Sequence, residues 1–134
     1  MKPEQAVITL LENGVASLSS RIYTGYAPQD AEMPFAVVGR DSTEVDHHLL
    51  GVSGLRLARI GVAFYGPRML ALGVIAEAAE GVLDTDNDRT TVAGINIRRL
   101  WIEDTAESQI ELADGTGKPI HVIAQTYSMH YKEN

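Results

Sequence analysis

An α+β fold is predicted, an antiparallel β-sheet of about four strands with two helices packed on one face, and three observations carry it. In LRLARIGVAFY, residues 55–65, Ala58, Ile60, Val62 and Phe64 alternate with Leu57, Arg59, Gly61 and Tyr65. A period of two marks a strand with one face in a core. Beyond Gly66-Pro67 the period changes, and Leu72, Ile75, Ala76, Ala79 and Leu83 fall on one helical stripe. Strand-like stretches occur in pairs on either side of that helix, giving the order α-β-β-α-β-β, which is the layering of an α+β domain.

The elements follow in order. Pro3 suits the first turn of a helix, where its missing N–H costs nothing. Ala6, Val7, Leu10 and Leu11 recur at helical spacing and Gly14 is a stop, so residues 3–13 read as a short amphipathic helix. Arg21-Ile22-Tyr23 reads as a short strand, Pro28 and Pro34 bracket a polar turn, and residues 35–41 form the first long strand. Residues 42–54 have no clear period and read as a loop or hairpin tip. The 55–65 strand and the second helix, ending near Asp84, come next. DTDNDR, residues 84–89, is a turn. Residues 90–104 read as a strand with Ile95, Ile97 and Trp101 on one side. Residues 105–118, with Asp114-Gly115, read as a polar loop, and 120–131 as the last strand.

The chain has 134 residues, the size of one domain (1–134) able to bury a core. Its net charge of -7 makes it a poor grip for nucleic acid or an anionic membrane, both of which need clustered Lys and Arg. With no cysteine there is no disulfide and no thiol chemistry. The apolar run 60–79 is interrupted by Pro67, Arg68 and Glu77 and is no membrane span. The N-terminal apolar stretch is too broken for a signal peptide, so the protein is expected in the cytoplasm where it is made.

Motifs for chemistry fail one by one. DTDND begins like a calcium loop, but Arg89 and Ile95 stand where the loop needs glycine and glutamate. Asp46, His47 and His48 are too few for a closed metal site, and neighbouring strand residues point to opposite faces. Gly117-Lys118 is followed by Pro119, and Leu112 stands where a phosphate loop needs glycine. Ser53-Gly54 lacks the surroundings of a nucleophile elbow. Glu103, Asp104, Glu107 and Glu111 read as a solvated acidic face. Catalytic residues, cofactors and metals are therefore expected to be none. Arg56, Arg59, Arg98 and Arg99 are read as strand arginines pairing across a sheet or a subunit contact.

The order helix, Arg21-Ile22-Tyr23, Ala27-Pro28-Gln29, Pro34-Phe35-Ala36-Val37-Val38, then strand 55–65 and helix 68–83, resembles the tail-terminator or tail-completion family of long-tailed phages, prophages and gene transfer agents. The resemblance covers residues 3–84, and residues 90–131 follow it in layout. It implies a non-enzymatic structural protein of the virion, made in a bacterial host. Such a protein forms a hexameric ring on the head-proximal end of the tail tube, ends tube polymerisation and joins tail to head. The implied partners are further copies of itself, the tail tube protein and a head-completion or neck protein, with DNA passing through the channel unbound and no membrane. Candidate contact residues are His47, His48, Leu49 and Leu50, because leucines in a loop need a partner, with Arg59, Glu107 and Glu111. The alternatives are a head-closure or neck connector, or a small α+β ligand-binding domain or enzyme. In this reading Pro28 and Pro34 fix the path into the sheet, and Arg21 and Tyr23 are structural anchors.

Overall fold

The structure is a computed structural model describing residues 3–16, 18, 21–27, 32–48, 51–84, 90–92, 94–111 and 119–133. Its elements are α1 (Pro3–Gly14), β1 (Ile22–Thr24), β2 (Phe35–His48), β3 (Gly51–Gly66), α2 (Met69–Leu83), β4 (Thr90–Val92), β5 (Ile95–Glu111) and β6 (Pro119–Glu133). The strands form one sheet in the order β1-β2-β3-β6-β5-β4. The four long strands correspond to the four expected. The sheet departs from expectation in having six strands and in being mixed, since β1 runs parallel to β2 while the other neighbours are antiparallel.

Both helices pack on one face, and the alternation in β3 shows why. Ala58, Ile60, Val62 and Phe64 are all buried, and their cross-strand partners on β6 are Met129, Tyr127, Gln125 and Ile123. That row set joins Ala6, Val7 and Leu11 of α1 and Leu72, Ile75, Ala76, Ala79 and Leu83 of α2 in one hydrophobic cluster. These are the residues the two helical stripes mark, apart from Leu10, which is partly buried. Burial of the Val, Leu, Ile, Phe and Met side chains among them contributes about 1.5–3 kcal/mol each. The helices also approach each other closely, since a Cβ on Gly14 would stand 2.5 Å from Val82 Cγ2.

Three expectations need correction. Of the two readings of residues 42–54, loop or hairpin tip, the hairpin holds and the loop does not: β2 runs on to His48 and β3 starts at Gly51, paired from His48↔Gly51 to Phe35↔Tyr65. The stretch STEVDHHLLGVSG has no hydrophobic period to betray a strand. Residues 105–111 likewise continue β5, paired with β6 down to Glu111↔Pro119. Third, Trp101 does not share a side with Ile95 and Ile97. A register shift between Ile97 and Arg99 inserts one extra residue, which turns the side chains over until a second shift, between Ile102 and Asp104, turns them back. Leu100 thereby becomes core and Trp101 faces away from the helices. The same expected strand is also divided in two by the turn at Gly94, whose φ of 79° favours glycine.

The entry stretch holds together as a set of local bonds. Arg21 Nε donates to the Pro34 carbonyl at 2.9 Å, and the Ala36 N–H donates to the Arg21 carbonyl at 2.9 Å. Arg21 also lies 3.8 Å from Glu32. Phe35 stacks on Tyr65 at 4.9 Å, and Tyr23 meets Phe35 edge-on at 6.0 Å. Arg21 and Tyr23 are thus anchors of the first sheet strands.

Candidate assembly surface

The sheet face opposite the helices carries no second layer among the described residues. Its rows follow from the pairing. Val37, Ala63, Ala124 and Ala106 stand side by side across four strands, and so do Gly39, Gly61, Thr126 and Asp104. Small residues in adjacent rows make a shallow saddle of about 300 Å³. At one end of it lie Phe35 and Tyr65. At the other lies a polar cluster around Trp101.

That cluster is built by the bulges in β5. Trp101 Nε1 donates to Glu103 Oε1 at 2.7 Å, and Ser128 Oγ donates to the same oxygen at 3.0 Å. The Arg99 guanidinium lies 4.6 Å over the Trp101 ring, and His130 meets its edge at 5.5 Å. An arginine on an indole face is an attractive cation–π pair. The carboxylate and the guanidinium hold the indole in one orientation. Nothing here resembles acid–base machinery: the carboxylate serves as an acceptor for neutral donors. Sequence reasoning passed over this cluster because only the bulges bring residues 99, 101, 103, 128 and 130 to one face.

The buried side of the sheet holds a second polar network. Gln125 Nε2 donates to the Ala76 carbonyl in α2 at 3.1 Å, and the Tyr127 hydroxyl donates to Gln125 Oε1 at 2.6 Å. Burial first, then the nearby Glu80 and Asp84 charges, push the Tyr127 hydroxyl well above its ordinary value near 10. Arg40 Nε lies 3.6 Å from the buried Glu4 Oε2. A small apolar cavity of about 130 Å³ lies where Met33 and Pro34 meet the start of α2. Its lining offers no convergent polar groups, the feature a ligand site needs.

The sequence-predicted contact residues do not gather into one patch. His47 and His48 stand at the end of β2, opposite Val52 and Gly51. Leu49 and Leu50 lie outside the described residues. Arg59 is exposed on the open face, in the row of Ser42 and Ser128. Glu107 is exposed on β5 opposite Ile123, and Glu111 ends that strand opposite Pro119. The 16 residues of β3 separate the two ends of the sheet, so His48 and Glu111 stand about 50 Å apart along it at about 3.3 Å per residue. Among the described residues no three His, Asp or Glu side chains could hold a metal ion, and no helix is long and apolar enough to cross a membrane.

No protein-family profile and no curated protein matches the chain in sequence. The fold itself is shared with solved structures. One is a chain of the "Virion of native gene transfer agent (GTA) particle", with a TM-score of 0.74 over 97% of this chain and 94% of that one, at 11% identity. The class is therefore an α+β fold also found, over nearly its whole length, in a chain of a gene transfer agent virion.

Proposed function

We propose that this chain is a structural virion-assembly protein that caps the head-proximal end of a phage-type tail tube. The observation that carries the reading is the near end-to-end fold likeness to a chain of the gene transfer agent virion. It agrees in kind with the independent sequence resemblance to tail terminators. Fold alone does not fix function, but two further features point the same way. The open sheet face offers a broad saddle and a polar rim rather than a pocket with convergent groups. The charge of -7 suits a channel that DNA must traverse without being gripped.

In this reading copies of the chain close into a hexameric ring. One side of the ring meets the last layer of tail tube protein and ends its growth. The other meets a head-completion or neck protein, and the protein is located in the virion at the tail's head-proximal end. No step of this requires catalysis or a cofactor. Light scattering over a wide concentration range, with negative-stain imaging of the same samples and of mixtures with purified tail tubes, tests it. Rings with a central hole, free or on one end of each tube, are expected. A stable dimer with no ring under either condition would refute the reading. Rings that bind only portal-side proteins and never a tube end would move the assignment to a neck connector.

A further inference from the structure

Two long strand edges have no strand partner among the described residues, and they lie on opposite sides of the sheet. β1 covers β2 only at Ala36, Val37 and Val38, leaving the outer side of residues 39–48 open. β4 covers β5 only at Ile95, Asn96 and Ile97, leaving the outer side of residues 98–111 open. An uncovered edge presents a row of N–H and C=O groups that templates pairing with another chain, which is why long ones are ordinarily shortened, blunted or covered. We propose that these two edges pair with each other between neighbouring copies, β2 of one copy adding antiparallel to β5 of the next. A continuous sheet would then run around the assembly. The inference rests on the ring reading above and names the contact that builds the ring.

Strand direction favours it. β2, β3, β6 and β5 alternate in direction without a break. A following β2 is therefore antiparallel to β5, and the alternation continues. The two edges are also different surfaces. The contact is head-to-tail, the kind that closes into a ring when the rotation allows it.

Register narrows it further. If the rows simply continued, residues 36–38 of the incoming β2 would stand beside 105–107 of β5, and the incoming β1 would occupy the place of β5 itself. At the other end β4 would compete with the last residues of the incoming β2. Sliding the incoming strand by about seven residues, or about 20 Å along β5, carries the incoming β1 past Glu111, where β5 ends, and the incoming β2 clear of β4. It lays residues 39–48 alongside 102–111. The two short strands act as stops that leave this register open. A stagger between neighbours is what a closed sheet of tilted strands requires. Faces match along residues 42–45 and 105–108, beyond the register shift between Arg40 and Ser42: Ser42 shares the open-face row of Arg59, Ser108 shares that of Val122 and Tyr65, and the two come opposite each other. The contact also gathers what one copy keeps apart. The end of β2 that holds His47 and His48 comes beside the β5 edge that carries Glu107 and Glu111.

Cysteine cross-linking tests this directly, because the chain has no cysteine of its own. Ser42→Cys is combined with Ser108→Cys, and separately with Ala106→Cys to allow a two-residue change of register. Cross-strand neighbours lie near disulfide range. Each variant is checked for a wild-type thermal melt, oxidised with and without tail tubes, run on a non-reducing gel and imaged. A ladder of linked copies up to the ring, from one of these pairs and not from Ser42→Cys with Glu77→Cys on the outer side of α2, is expected. Rings in the images with no ladder from either pair would overturn the edge contact and leave the ring reading standing. Neither ring nor ladder, even with tubes present, would overturn both.

Discussion

The Gln125–Tyr127 pair allows a sharp test of how α2 is tied to the sheet. Gln125 is 3% exposed and Tyr127 is fully buried. Gln125→Leu keeps much of the volume but removes both bonds. The Ala76 carbonyl lies within α2, so it keeps its helical role and loses little. The Tyr127 hydroxyl loses its acceptor in a place water does not reach. An orphaned buried donor costs about 1–3 kcal/mol, and the bonds themselves about 1 kcal/mol net each. A loss of about 2–4 kcal/mol is expected. Tyr127→Phe orphans Gln125 Oε1 and should cost about 1–2 kcal/mol. In the double variant neither orphan remains, and removing both partners of a buried bond is far milder than removing one. Urea unfolding of all four proteins should therefore show the double variant more stable than the sum of the singles by about 1–2 kcal/mol. Additivity within about 0.5 kcal/mol would mean that the two side chains are not coupled, and the network account would fail.

Four further outcomes follow from the same geometry. The raised Tyr127 pKa keeps the folded hydroxyl neutral after the unfolded chain begins to ionise near pH 10, so its stabilising contribution is complete below that pH and is lost as pH rises towards the folded value. The stability difference between wild type and Tyr127→Phe should accordingly shrink above pH 10 in denaturant titrations, and a constant difference would contradict the shift. Gly14→Ala improves helix propensity by up to about 1 kcal/mol but drives a methyl into Val82, and overpacking of about 1–3 kcal/mol should win, lowering the melting temperature. Arg21→Ala removes the part-buried bond to the Pro34 carbonyl and should cost about 1–2 kcal/mol by urea unfolding. Arg59→Glu, at an exposed position, should leave stability within about 0.5 kcal/mol while weakening assembly in light scattering.

What could be read from the residues divides along a physical line. Elements with one buried face were legible: β3 and α2 carry period-two and helical stripes, and those stripes are the buried sets found in the structure. The extensions of β2, β3 and β5 were not. Residues 103–109 are exposed whichever way they point, so no apolar alternation marks them, and backbone pairing alone makes them strands. The bulge between Ile97 and Arg99 was also invisible, because a register shift depends on the partner strand rather than on local sequence. For the contact surface, the residues singled out as loop positions turn out to lie on strands or outside the described residues.

That misreading bears on function. A strand exposed on both faces gains nothing from the hydrophobic effect within its own copy. Yet residues 103–109 of β5 stay extended beside β6 although every one of them is exposed. Extensions of this kind make sense if their free sides are to be completed by another chain. Acidic residues along β5 would meanwhile discourage indiscriminate pairing, as charges on edge strands do elsewhere. The single tryptophan gives a direct reading of this, because Trp101 sits on β5 just before the proposed seam, half-buried and held by Glu103 and Arg99. Closing the seam should remove water from the indole and shift its emission to the blue, with the same concentration dependence as the mass from light scattering. Emission that stays unchanged while the mass rises to that of a ring would place the contact elsewhere on the molecule.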